Sequence, residues 1–99
     1  YEIYETETFS KIHAAMEKEE QAWIDKIKLQ LKDNPSTGKP LRFEWFREKK
    51  FGDKRLFYLI YKNLSKVLLV SFGTKKEQQK IIDHILENRD NYRKIIESV

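Results

Sequence analysis

Cysteine is absent from the 99 residues, histidine occurs only twice, and no repeat or low-complexity segment interrupts the chain. The first absence excludes disulfides, thiol catalysis and cysteine-ligated zinc, and it fits a reducing compartment. His13 and His84 stand far apart, and Glu44, Glu48 and Asp53 are separated by basic neighbours. No metal-ligand spacing results, so neither a metal nor another cofactor is expected. The longest apolar stretch, around Val67–Val70, falls well short of the ~20 residues of a membrane span, and no basic-then-apolar leader opens the sequence. The sequence reads as a soluble cytoplasmic protein with no membrane partner.

What is present is charge and large apolar side chains: 36% charged, 39% hydrophobic and 13% aromatic residues. That apolar content offsets ordering entropy over one domain spanning 1–99 and leaves no room for a second. The charge is unevenly placed. Residues 34–76 hold eleven Lys or Arg against three acids, a balance of +8, while residues 1–33 balance at −3 and 77–99 at −1. Such a segment between acidic ends describes one positive face on a compact domain, the footprint expected for a polyanionic partner.

Periodicity supplies the elements. Tyr1–Thr6 alternates as a short edge strand. Phe9, Ile12, Met16, Trp23, Ile27 and Leu31 then recur at helical spacings, and the polar Lys18–Glu20 in their gap predicts a corner between helices at about 7–17 and 20–33, with one long helix as the alternative. Pro35 and Gly38 end the helix in a loop. From Phe43 the period is two, with Phe43 and Trp45 alternating against Glu44 and Phe46, then a turn at Phe51-Gly52-Asp53-Lys54, a second strand over Arg55–Tyr61 and a third over Val67–Phe72. The second is apolar on both faces and should be central. Thr74 is a candidate cap for a terminal helix, broken near Asp90-Asn91. The expected class is α+β, ordered β-α-α-β-β-β-α, with a helical hairpin and a C-terminal helix against one face of a mainly antiparallel sheet.

This order, together with NPSTGKPL, WFREKK, GDKRLFYLIY, VLLVSFGTKK and EQQKIIDHI, resembles the RelE/ParE superfamily of toxins from toxin–antitoxin modules, most of all its archaeal RelE-type members. The resemblance covers almost the whole chain and implies the RelE-like fold. It further implies a cognate acidic, RelB-like antitoxin in a heteromeric complex, and a ribosome-dependent endoribonuclease that cleaves messenger RNA and inhibits translation without a cofactor. ParE-type members act on DNA gyrase and lack the cleavage residues. The alternative is therefore a non-catalytic member, either a gyrase inhibitor or a degenerate toxin that only binds its antitoxin.

Carried over by position, Arg55 matches the strand-opening arginine that stabilises the phosphate under attack. Arg47 matches a basic position late in the preceding strand, and Lys75 and Lys76 match the basic pair after the last one. These four form the candidate catalytic set, with Lys49, Lys50, Lys54 and Arg42 as candidate RNA contacts. Where RNA-cleaving relatives often place Tyr or His, this chain has Ile81 and Ile82, leaving Glu48, His84 and Tyr92 as acid–base candidates.

The chemistry can also be read without the family. Cleaving RNA needs a proton acceptor for a 2′-hydroxyl, a cation for the pentavalent phosphorane and a donor for the departing oxygen. Guanidinium suits the second task, being always charged and able to grip phosphate with two hydrogen bonds. Facing strands are expected to gather Arg47, Arg55 and Lys75 at one end of the sheet. Like-charge crowding releases a lysine proton more readily, which makes Lys49 or Lys50 a candidate base. Trp23 and Trp45 read as core aromatics in preference to stacking platforms, Tyr58 and Tyr61 as sheet packing, and His13 as a structural or surface residue.

Overall fold

The computed structural model describes residues 1–99. Strand β1 (Glu2–Glu5) leads into α1 (Glu7–Ala15), whose first turn is capped by Thr6, its hydroxyl oxygen accepting from Phe9 N–H at 3.0 Å. Extended geometry at Met16 and Glu17 ends α1, and α2 runs over Lys18–Asp33. The corner falls at Met16-Glu17, so Lys18–Glu20 is the first turn of α2 and not the corner itself. Glu17 and Glu20 form a reciprocal capping box there, satisfying N–H groups that an uncapped helix start leaves orphaned.

A 3₁₀ turn at Pro35–Thr37 precedes β2 (Lys39–Leu41), a short strand in what the sequence reads as loop. Strands β3 (Phe43–Phe51), β4 (Lys54–Tyr61) and β5 (Lys66–Thr74) follow, with a second 3₁₀ turn at Lys62–Leu64. The C-terminal segment is two helices, α3 (Gln78–Glu87) and α4 (Arg89–Glu97), parting at Asn88. Asn88 caps α3 by donating from its side chain to His84 O at 2.8 Å, which draws the break ahead of Asp90-Asn91.

The strand order is β1-β5-β4-β3-β2, with β1 parallel to β5 and the other pairs antiparallel. Strand β4 is central. One sheet face buries Leu56, Tyr58, Val67 and Leu69 under Phe9, Ile24, Ile27 and Leu31 of the hairpin. The other buries Phe46, Phe57, Leu59, Leu68 and Val70 under Ile85 of α3 and Ile96 of α4. The helices thus cover both faces, correcting the expectation of one. An unbroken apolar run from Leu56 to Leu59 demands it, because burying each such side chain contributes roughly 1.5–3 kcal/mol on whichever side it points.

One phenol fixes the loop beside the sheet. Tyr58, fully buried, donates its hydroxyl to Pro35 O at 2.7 Å and accepts from Gly38 N–H at 3.0 Å. Gly38 is needed for that approach, since a Cβ there would lie 2.6 Å from both the Tyr58 hydroxyl and Glu48 O.

Candidate functional site

Hairpin register decides which basic residues meet. The two-residue turn places Lys50 opposite Arg55 and Phe51 opposite Lys54, while β5 sets Gly73 against Arg55 and Thr74 against Lys54. Lys75 N–H donates to Asp53 O at 3.1 Å, locking the end of β5 to that turn. Lys49, Lys50, Lys54, Arg55, Lys75 and Lys76 therefore share one end of the sheet. Lys50, Lys75 and Lys76 are exposed there and form no ion pair.

Lys54 differs. Its ammonium lies 2.5 Å from Glu20 of α2, and that hydrogen bond pushes its pKa up against the opposing effect of burial. It stays charged and is unsuited to proton abstraction. Glu77 is held below the usual carboxylate range by the Thr74 backbone N–H and hydroxyl, which bond to its Oε1 at 2.9 and 3.0 Å. This is the capping expected at Thr74.

Arg55 and Glu48 lie side by side, Nε to Oε1 at 3.4 Å, with side chains only 8% and 4% exposed. Gln78, the first residue of α3, donates to the same Glu48 oxygen at 2.7 Å. Arg55 Nε has no hydrogen-bond partner, and Nη1 reaches only Asp53 O at 3.4 Å, so the guanidinium is held electrostatically with donors to spare. Glu48 also lines a shallow groove of about 330 Å³ with Thr37, Gly38, Lys39, Lys49 and Lys50, in which no apolar side chain takes part. Lys39 and Gln78 were not singled out from sequence. Two readable signals were the two-residue hairpin turn, which fixes strand register, and the capping box that starts the helix after Thr74.

Arg47 does not join Arg55. It pairs with Tyr58, three residues along β4 from Arg55, so alternation turns the two arginines to opposite faces about 10 Å apart along the strand. Its guanidinium is spent locally: Nη1 donates to Ser36 O and Gly38 O at 3.2 and 2.9 Å, Nε to Glu44 O at 2.9 Å, and Nη2 to Glu44 Oε2 at 2.5 Å. Arg42, left-handed with φ 65°, opens β3 at the end away from the lysines. His84 and Tyr92 line a separate groove of about 590 Å³ between α1 and the C-terminal helices, with Ile12, Ile81 and Ile95. Ile81 packs so closely on Gly73 that a Cβ at residue 73 would sit 2.5 Å from its Cδ1. An apolar side chain thus covers the residue paired with Arg55, and neither His84 nor Tyr92 hydrogen-bonds to the arginine.

The arrangement offers a carboxylate beside a guanidinium, ringed by free lysines. A general base, a phosphate stabiliser and strand contacts are all chemically available at that end.

No protein-family model matches the sequence, and no curated protein matches it. Solved structures do resemble it. A mutant E. coli toxin RelE in complex with an antitoxin RelBc peptide aligns at TM-score 0.68 and 15% identity, covering 82% of this chain and 93% of that one. The intact E. coli RelBE toxin–antitoxin complex gives 0.67 at 17%, over 75% of this chain and 95% of the other. The isolated E. coli RelE toxin gives 0.66 at 15%, over 86% and 98%. What these likenesses establish is architecture: four helices on a five-stranded sheet in the RelE fold.

Proposed function

We propose that this protein is the toxin of a toxin–antitoxin module, a metal-independent endoribonuclease that cleaves messenger RNA on the ribosome. The contact between Arg55 and Glu48 amid unpaired lysines carries the reading. Glu48, whose second oxygen has no partner within the protein, accepts the 2′-hydroxyl proton as that oxygen attacks phosphorus. Arg55 stabilises the phosphorane with its spare donors, and the exposed Lys50, Lys75 and Lys76 hold neighbouring phosphates. The bond from phosphorus to the 5′-oxygen breaks, and a neighbouring lysine ammonium returns a proton to it. The products are a cyclic phosphate and a 5′-hydroxyl. Two of the similar RelE structures contain antitoxin RelB, which supports a cognate acidic antitoxin as partner here. The groove between α1 and α4, with Ile95 40% exposed and Val99 56% exposed nearby in sequence, offers apolar area for such a segment.

One observation favours a second reading. Ile81 covers the residue paired with Arg55, and His84 and Tyr92 lie in another groove, which suits a member that binds its antitoxin or inhibits gyrase without cutting RNA. A single experiment separates them. Purified ribosomes held in magnesium are given a message with a 2′-deoxy substitution at the cut position, alongside the unmodified one. Cutting of only the unmodified message, abolished by Arg55→Ala in folded protein, is the expected result. Arrest without cleavage of either message points to the second reading.

A further inference from the structure

A second pocket lies at the other end of the sheet, roughly 25 Å away along the eight residues of β4. Trp45 near the start of β3, Tyr61 at the end of β4, Lys62 just after it, and Arg89, Asp90 and Arg93 of α4 enclose about 400 Å³. The aromatic wall is preorganised. Trp45 is held between Phe43, with ring centroids 4.7 Å apart and 12° between planes, and Phe46, at 6.3 Å and 18°, which fix the indole in the wall. Arg93 lies over the Tyr61 ring at 5.6 Å and bonds Glu97 at 3.1 Å. Burial pushes the Tyr61 phenol up to about 12, which keeps it neutral. Lys62 and Arg89 are exposed and form no ion pair, and Asp90 is the one carboxylate in the lining.

We propose that this pocket binds one unpaired nucleotide of an RNA strand, its base against Trp45 and its phosphate between Lys62 and Arg89. Every base has a π-face that stacks on an aromatic ring, and two unpaired cations suit a phosphate. Asp90 accepts from an exocyclic amine, which favours adenine over uracil, and it opposes an acidic peptide that brings only carboxylates. The inference goes beyond the toxin reading and needs no cleavage, so each can fail while the other stands.

The test uses the Trp23→Phe protein, in which Trp45 is the sole tryptophan. Its fluorescence is followed at low salt with AMP, UMP, adenosine, ribose 5-phosphate, 2′-O-methyl tetraadenylate and tetraglutamate. Saturable quenching is expected from AMP and the tetranucleotide, with UMP weaker and with adenosine and ribose 5-phosphate each at least about tenfold weaker than AMP. A Lys62→Ala/Arg89→Ala double variant should raise the AMP dissociation constant at least about tenfold, whereas Lys26→Ala, on an exposed face of α2, leaves it unchanged. Absence of quenching, equal response to tetraglutamate, or full affinity in the double variant would overturn the assignment.

Discussion

Two side chains of similar apparent promise, Arg47 and Arg55, end in opposite roles because each has three residues of register between itself and the other. Arg47 gives its donors to the carbonyls of Ser36, Gly38 and Glu44 and so joins the 3₁₀ turn to β3, beside the hydroxyl of Tyr58. Tyr58→Phe removes the acceptor of Gly38 N–H, a buried donor, and is expected to cost about 1–3 kcal/mol in urea unfolding while leaving RNA cleavage intact. Arg55→Ala should behave differently, with at least ~100-fold less cleavage and a stability cost of its own, because it leaves the buried Glu48 carboxylate without its cation. Loss of cleavage in Tyr58→Phe, or full cleavage in folded Arg55→Ala, would contradict this division. Alkaline pH supplies a further check. Burial raises the pKa of Tyr58, Tyr92 and Tyr61, the last to about 12. A folded-state value above the unfolded one means that stability is complete below the ordinary tyrosine range and is lost as pH rises through it. The urea midpoint should fall between pH ~10 and ~12, and less steeply in Tyr61→Phe. Parallel curves for the two proteins would remove Tyr61 from that account.

At the scale of elements, close contact between β5 and α3 sets the wall of the candidate site. A methyl group at residue 73 would meet Ile81 Cδ1 at 2.5 Å and Glu77 Oε1 at 3.2 Å, so Gly73→Ala forces the Ile81 and Glu77 side chains out of their present positions. About 1–3 kcal/mol of destabilisation is expected, and the Gly73→Ala/Ile81→Ala pair should lose less than the sum of its members, because truncating Ile81 removes the collision. Additive losses would show that the two residues do not meet. The sequence disclosed the strands for a related reason: alternation from Phe43 and the double-sided apolar run in β4 are local, and each implies its own packing. It disclosed less where contacts are distant. Strand β2 has three residues and exists through pairing with β3, the split at Asn88 depends on a side-chain cap, and Arg47 reads as a site residue until its pairing with Tyr58 is counted. That last count was available, since a two-residue turn at Gly52-Asp53 fixes the whole hairpin register.

Across the whole molecule, charge and topology reinforce one another. The +8 segment sends Lys39, Lys49, Lys50, Lys75 and Lys76, all free of ion pairs, to the Gly52-Asp53 end of the sheet and Arg42, Lys62 and Lys66 to the other, whereas the acid-rich first third supplies Glu20 to Lys54 and Glu5 to His13 and Lys28 on the side of the helical hairpin. Acids are thereby used up in holding helices to the sheet, and lysines are left over at the surface. Those free ammonium groups make a thermodynamic statement about binding. Each phosphate neutralised on a single strand releases about 0.7 of a counterion, so five contacts imply a slope of about −3.5 in log K against log salt for an unpaired, uncleavable RNA. Lys50→Ala should reduce the slope by about 0.7 without changing base preference, because a phosphate contact carries no sequence information. Lys32→Ala, exposed in the last turn of α2 at the end opposite Glu20, should leave it unaltered. Affinities measured between 50 and 300 mM salt decide the matter: a slope near zero, or equal effects of Lys50→Ala and Lys32→Ala, would mean that the lysine-rich end of the sheet is solvated surface and does not hold the strand.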